Sequence, residues 1–396
     1  MKRINWGITM VLAFAALLPA AHAATTPIPI SVDCSQGQSL NRTLSNLDNQ
    51  LSYSVSVTGT CTEYVQVVGF QNLSLKGLSG ASLVQPSTAP ANLFTGVLLI
   101  ESSQSVIVDG LNIQAETTPA GIGIDHGSSG IRLRNLTVQG GGEGILIAEN
   151  SQVSLAYVTA ENPGYTPLGI YDSSDAHVEH CVFENSTGQP WHVGIDLGAS
   201  HVTVYDTTIK NMQVGINAYA GSIVDVKAFD TYYPFGGSPV VTIASPAGTN
   251  YQGVSLTGGA RLNVNAPNLQ ATKLLINQPG QAYGGTTAGV LVSDGSVLEA
   301  NSNLVITGSY GQGVLALNNS HATIGGVTIT GSGHGGLVAA NLSSFDASTG
   351  STPSLISGNA VDLFCDSDST ITGSANVTGV HTTQCANLLP AEASLP

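Results

Sequence analysis

The chain has 396 residues, 42% of them hydrophobic and only 9% charged, with a formal net charge of −15 at pH 7. Ten Lys and Arg stand against 25 Asp and Glu, too few cations for the clustered basic surface that phosphate binding needs, so no nucleic acid is expected as a partner.

Residues 1–23 have the form of a secretory signal: Lys2 and Arg3, an apolar run over 8–18, and the small-residue site Ala21-His22-Ala23. Eleven apolar residues are too few for a membrane span, which needs about 20. No later stretch is long and apolar enough either, so a secreted, periplasmic or extracellular protein without membrane insertion is expected. Removing the signal leaves eight Lys and Arg against 25 Asp and Glu, a net charge of −17.

Residues 24–62 are expected to form an N-terminal cap. Leu40, Leu44 and Leu47 share one face of a short helix, which would cover an apolar end that otherwise invites aggregation. Cys34 and Cys61 bracket this segment, Cys365 and Cys385 bracket the last, and Cys181 stands alone. Two end-stapling disulfides and one buried thiol are the expectation, because an oxidising compartment permits bridges and a free Cys packs as a small apolar group. Four cysteines allow three pairings, and Cys181 could displace any of them.

From residue 63 to residue 364 a glycine followed by an aliphatic residue keeps returning, as in Gly121-Ile122-Gly123-Ile124, Gly144-Ile145-Leu146-Ile147 and Gly194-Ile195-Asp196-Leu197. Taken as openings of a repeat, these glycines fall at Gly96, Gly121, Gly144, Gly169, Gly194, Gly215, Gly253, Gly289, Gly313 and Gly336. Seven of the nine intervals are 21–25 residues long, and the other two are 38 and 36. Residues one and three places after the glycine should point inward, as Ile122/Ile124, Ile195/Leu197 and Val290/Val292 do in strand alternation. A closing run follows about fifteen residues later (Leu111/Ile113, Leu136/Val138, Val158/Ala160, Cys181/Phe183), with a middle run between them. Three short strands per unit, none able to bury its apolar face alone, make a stacked repeat.

On these residues the chain, from about Cys34 to Cys385, resembles the pectate-lyase-like superfamily, which is dominated by extracellular polysaccharide lyases and glycoside hydrolases. The resemblance implies an all-β, single-stranded right-handed parallel β-helix of about 10–12 coils, with residues 365–396 as C-terminal cap and tail. A left-handed hexapeptide helix, leucine-rich repeats and propeller blades fit the period and motifs less well. Neutral polar groups would solvate its outer face.

The two long intervals are expected to leave loops over 229–252 and 277–288, in the turn before the next glycine. Aromatic residues gather at that turn: Tyr165, Trp191 with His192, Tyr232, Tyr233 and Tyr310. Exposed rings on loops suit stacking on sugars, and they also serve to anchor long loops. Aligning the closing strands places Gln114, Gln139, Glu161, Glu184, Lys210 and Asp230 in one column. Strands about 4.8 Å apart would bring Glu161 and Glu184 within reach of each other.

Across the turn, Tyr171, Asp196 and Asn217 are expected in successive coils of one outward column, with Asp125 two coils earlier. The candidate site therefore takes Glu161, Glu184 and Asp196 as acid, base or nucleophile and Lys210 and His192 as charge partners. Tyr165, Tyr171, Trp191, Asn217, Tyr232 and Tyr233 would contact substrate. Paired carboxylates of this kind hydrolyse glycosides. A polar ladder is equally what any parallel stack makes of a solvated position.

The resemblance does not extend to the pectin hydrolases' motifs: Asn-Thr-Asp, Asp-Asp and Arg-Ile-Lys are missing, and His126-Gly127 and His334-Gly335 stand without them. Asp125-His126 echoes a pectate-lyase dipeptide, and Lys210, Arg132 and Arg134 are the basic candidates for lyase chemistry. At −17 a neutral glycan is favoured over an acidic one. No cofactor is required and no metal ligands are assigned; Ca²⁺ at clustered carboxylates stays open, although no EF-hand loop or nonapeptide repeat occurs. The expectation is a monomeric, secreted, polysaccharide-interacting protein, as a hydrolase or lyase or else as a non-catalytic binding, adhesive or structural solenoid.

Overall fold

The computed structural model describes residues 26–88, 96–116, 118–186, 192–227, 239–244, 252–265, 273–277, 287–347 and 352–389. The proposed signal lies outside them, as do Trp191, Tyr232 and Tyr233. Three parallel sheets of 14, 13 and 13 strands run the length of the molecule, each strand pairing with the equivalent strand one coil away. One coil shows the plan: an opening strand Ala120–Asp125, a middle strand Ile131–Arg134 and a closing strand Thr137–Gly140. With 13 opening strands the stack is longer than the 10–12 coils expected.

Alternation fills the interior. Ile122, Ile124, Ile145, Ile147, Ile195 and Leu197 are fully buried, as are Val106, Val108, Leu133 and Leu155 of the middle sheet and Ile113, Val138 and Phe183 of the closing one. One continuous apolar cluster runs from Val32 to Ile371.

The opening glycine is required by a close approach between sheets. A Cβ at Gly194, Gly215, Gly253, Gly289, Gly313 or Gly336 would stand 2.2–2.6 Å from the Cγ2 of Ile209, Ile243, Ile276, Ile306, Ile329 or Ile356 respectively. Each of those isoleucines belongs to a closing strand, so the glycine lets the opening strand settle onto it. Two glycines expected in this slot lie elsewhere. Gly96 pairs with Ala120, one residue early, and Gly169 pairs with Leu146, leaving Pro167 opposite Gly144.

The opening and middle sheets meet at a turn that carries a buried serine in successive coils. Ser151 N donates to Ser174 Oγ (3.1 Å), Ser174 N to Ser200 Oγ (3.2 Å) and Ser200 N to Ser222 Oγ (3.2 Å). These bonds satisfy backbone groups that the turn takes away from water.

The long intervals are arranged differently from the expectation. Strands Val240–Ala244 and Lys273–Asn277 lie inside them and join the closing sheet, so each coil keeps three strands and the extra residues fall on both sides of the closing strand in sequence. Lys210 accordingly pairs with Ala244, and Asp230, expected next in the column, lies outside the described residues.

At the N-terminal end, helix Leu40–Ser45 buries Leu40 and Leu44, with Leu47 partly buried just beyond its last turn. Ser39 caps it by accepting from Arg42 N (3.0 Å), and Glu63 accepts from Leu40 N (2.6 Å). Disulfides join Cys34 to Cys61 and Cys365 to Cys385, and Cys181 is a buried free thiol. Among the described residues no helix is long and apolar enough to cross a membrane.

Candidate functional site

The closing-sheet column forms as the spacing predicts. Gln114, Gln139, Glu161, Glu184 and Lys210 are register partners in turn. Lys210 Nζ lies 2.6 Å from Glu184 Oε2, and Asn211 Nδ2 donates to Glu184 Oε1 at 3.4 Å. Glu184 therefore spends its oxygens on a neighbouring cation and an amide.

A second group of carboxyls converges on the opening sheet. Asp196 pairs with Gly169 on one side and Asn217 on the other, and Tyr171 pairs with Gly198, so Tyr171 does not share Asp196's column as the sequence suggested. It reaches Asp196 all the same. A Cβ on Gly169 would sit 2.8 Å from Tyr171 Cε2 and 3.0 Å from its hydroxyl, so only glycine leaves room for the ring to lie back across the strand. Gly198 seats Tyr219 in the same way, at 2.9 Å from its hydroxyl.

The Tyr171 hydroxyl lies 2.9 Å from Asp196 Oδ2 and 3.2 Å from Glu143 Oε1. Tyr165 donates to Asp196 Oδ2 at 3.3 Å, and Asn217 Nδ2 donates to Oδ1 at 2.8 Å. Asp196 is 2% exposed, so these donors stand in for water around it. A hydroxyl has one proton. If Tyr171 gives it to Asp196 across the shorter contact, Glu143 must be the donor in the longer one, which requires a protonated carboxyl.

The electrostatics agree. Burial pushes Glu143 up to about 7, with the Asp196 charge adding to the rise and the Tyr171 hydrogen bond opposing it. Burial first, and then the two carboxylates, also raise Tyr171, and burial with Asp196 pushes Tyr165 up to about 12, so both phenols stay protonated.

His192 is 3% exposed, and its Nδ1 lies 3.3 Å from the Tyr165 carbonyl oxygen. A carbonyl only accepts, so Nδ1 carries the proton and Nε2 is the acceptor, buried with no hydrogen-bond partner among the described residues. Burial holds its pKa below the ordinary value, more than the Tyr165 bond restores. His192 is thus a neutral imidazole and makes no ion pair among the described residues.

Of the expected site residues, Tyr165, Tyr171, Asp196 and Asn217 come together, and Glu184 and Lys210 come together. Among the described residues no hydrogen bond or ion pair joins the two groups. Glu143 escaped the sequence reading. The signal was available: Glu143 is the only charge in a register column whose other described members include Ala120, Thr166, Val193, Val214, Gln252, Ala288 and Gln312.

Asp125 belongs to another cluster near the end of the opening sheet, where His126 Nδ1 lies 3.0 Å from Asp125 Oδ1 and 3.3 Å from Glu149 Oε2. Glu101 Oε1 is 3.8 Å away, and the three carboxylates hold this exposed imidazole's pKa above its ordinary value, Asp125 most of all.

Residues 84–229 match the family described as right handed beta helix region. No curated protein matches the chain. Among solved structures, the surface adhesin PfbA of Streptococcus pneumoniae is similar at 12% identity, over 87% of this chain and 94% of that one, with a TM-score of 0.42. The catalytic domain of a GH87 alpha-1,3-glucanase in complex with nigerose is similar at 14% identity, over 92% and 70%, with a TM-score of 0.45. The family 28 exopolygalacturonase of Yersinia enterocolitica is similar at 11%, over 92% and 78%, with a TM-score of 0.37. Likenesses this distant carry no argument about activity. The family match over residues 84–229, together with three parallel sheets stacked coil upon coil, shows that this chain has the right-handed parallel β-helix fold.

Proposed function

We propose that the protein is exported and acts on a polysaccharide by glycoside hydrolysis, with Glu143 as the general acid and Asp196 as its carboxylate partner. One observation carries the reading: two carboxyl groups share the Tyr171 hydroxyl, burial pushes Glu143 up to about 7, and three donors face Asp196. Surroundings that differ in this way let one site supply acid and base at the same pH. Glu143 gives its proton to the departing glycosidic oxygen as the C–O bond breaks. A water forms the new C–O bond and passes a proton to Asp196. The Tyr171 hydroxyl, lying between the two, returns that proton to Glu143 by accepting from one carboxyl and donating to the other. Tyr165, 43% exposed and hydrogen-bonded to Asp196, offers a sugar an exposed aromatic ring beside the pair. Two disulfides and the signal-like leader fit an oxidising, extracytoplasmic location.

A binding-only role is the second reading, favoured by the burial of Asp196 and the three hydrogen bonds it accepts. The mature protein assayed against a polysaccharide panel separates the two. Reducing ends without unsaturated products, abolished in Glu143→Gln, are expected of the hydrolase; unsaturated products would replace it with a lyase. Glycan binding with no turnover on any polymer would leave the binding role.

A further inference from the structure

Once residues 1–23 are set aside, the chain has eight Lys and Arg, and all eight are among the described residues. Five lie on or beside the middle sheet, two on the closing sheet and one on the helix at the N-terminal end. None lies on the opening sheet. Its strands carry Glu101, Asp125, Glu143, Asp196 and Asp362, so the strands of the face that holds the candidate site carry carboxyls and no Lys or Arg.

The hydrogen-bonding inventory points the same way. Tyr165, Tyr171 and Asn217 each turn a donor onto Asp196. The group left with nothing is an acceptor, His192 Nε2, on the far edge of its ring from the Tyr165 carbonyl. His192 leads directly into Val193–Gly198, the strand that carries Asp196, and its ring contacts the carbonyl of Tyr165, whose hydroxyl bonds Asp196. A buried acceptor without a partner is unfavourable until a donor reaches it.

From these two observations we propose that the opening-sheet site selects sugars that present hydroxyl or amino donors and bear no anionic group, and that His192 Nε2 accepts from one such donor. This rests on the glycan reading above and narrows it: neutral and amino polysaccharides are ligands, and polyuronates are excluded. A uronate carboxylate would meet Asp196 with no Lys or Arg on the sheet to neutralise it, and like charges brought together out of water repel strongly.

The test is calorimetric titration of the mature protein in EDTA with a soluble neutral glucan, a soluble chitosan and polygalacturonate, each at low and high salt. The expected result is that the glucan or the chitosan binds at least about tenfold more tightly than polygalacturonate, a difference of about 1.4 kcal/mol. Affinity for the glucan that survives high salt identifies hydroxyl donors as the feature read; chitosan binding that high salt weakens identifies ammonium donors. His192→Phe should lose about tenfold in affinity for the preferred polymer, and His192→Gln, which restores an acceptor, should recover most of it. Polygalacturonate binding as tightly as the others overturns the proposal, and so does failure of both other polymers to bind. Its fate is separable from that of hydrolysis. Selective binding without turnover sinks the hydrolase and leaves the selectivity, whereas turnover of polygalacturonate does the reverse.

Discussion

Two sets of paired carboxylates stand on this helix, and they differ in what surrounds them. On the closing sheet Glu161 and Glu184 are stacked register partners, and Glu184 has Lys210 at 2.6 Å. On the opening sheet Glu143 and Asp196 are two coils apart and no cation accompanies them; a tyrosine hydroxyl bridges them and burial raises the first to about 7. Proximity alone therefore does not prepare a proton donor. The stacked pair has an ammonium beside it, whereas burial beside a carboxylate with no Lys or Arg partner holds a proton on Glu143 where chemistry can use it.

The sharpest way to break this comparison is to neutralise one carboxyl from each set. Glu143→Gln should lower glycan turnover by about 10²–10⁴-fold, the usual worth of a positioned general acid, whereas Glu184→Gln should leave turnover within about threefold. Reducing-end release from matched, folded variants measures both. Equal losses would return the site to the closing sheet.

pH separates the two sets next. Glu143 titrates near 4.5 when unfolded and near 7 when folded, so the folded protein holds its proton after the unfolded chain has released it. Stability contributed by this group is full below about 4.5 and declines as pH rises through about 7, by roughly 3 kcal/mol at most. Urea unfolding across that window should show the decline in the native protein, and the difference should vanish in Glu143→Gln. Turnover should fall over the same upper limb, because the acid form is the one that works.

A smaller effect tests how the bridge is seated. In Gly169→Ala the new Cβ meets the Tyr171 ring, and the ring must leave Asp196. Turnover should drop by about tenfold and stability by about 1–3 kcal/mol, the range for overpacking a filled site. Gly198→Ala displaces Tyr219, which bonds neither carboxyl among the described residues, so it should match the stability loss with a smaller loss of turnover.

Gly169 also shows what could be read from the sequence and what could not. Period-two alternation and the returning glycine were enough for three strands per coil and for the inward residues, because each of those features is local and repeats. Gly169 obeyed the same Gly-aliphatic pattern and yet sits two residues out of phase, with Pro167 in the slot. No local pattern distinguishes a glycine that clears an isoleucine from one that clears a tyrosine ring two residues on. Strands 240–244 and 273–277 were hidden for a related reason, since an insertion on either side of a short strand erases the period that marks it. Asp196 and Asn217 were legible as outward residues of successive coils. Glu143 was not legible, because it precedes the glycine that opens the repeating pattern and no local feature marks that position as part of the strand.

The gentlest test lies on the closing sheet. Lys210 is 38% exposed, and an exposed ion pair on a regular ladder contributes about 0–1 kcal/mol. Lys210→Ala should therefore cost less than about 1 kcal/mol in urea unfolding, and raising the salt should erase most of that difference. A double-mutant cycle with Glu184→Gln should return a coupling energy of the same small size. The outcome bears on the opening sheet as well. If Lys210→Ala reduced turnover while stability held, the cation would be acting on a charge in the reaction, and the separation drawn between the two faces of the helix would have to be abandoned.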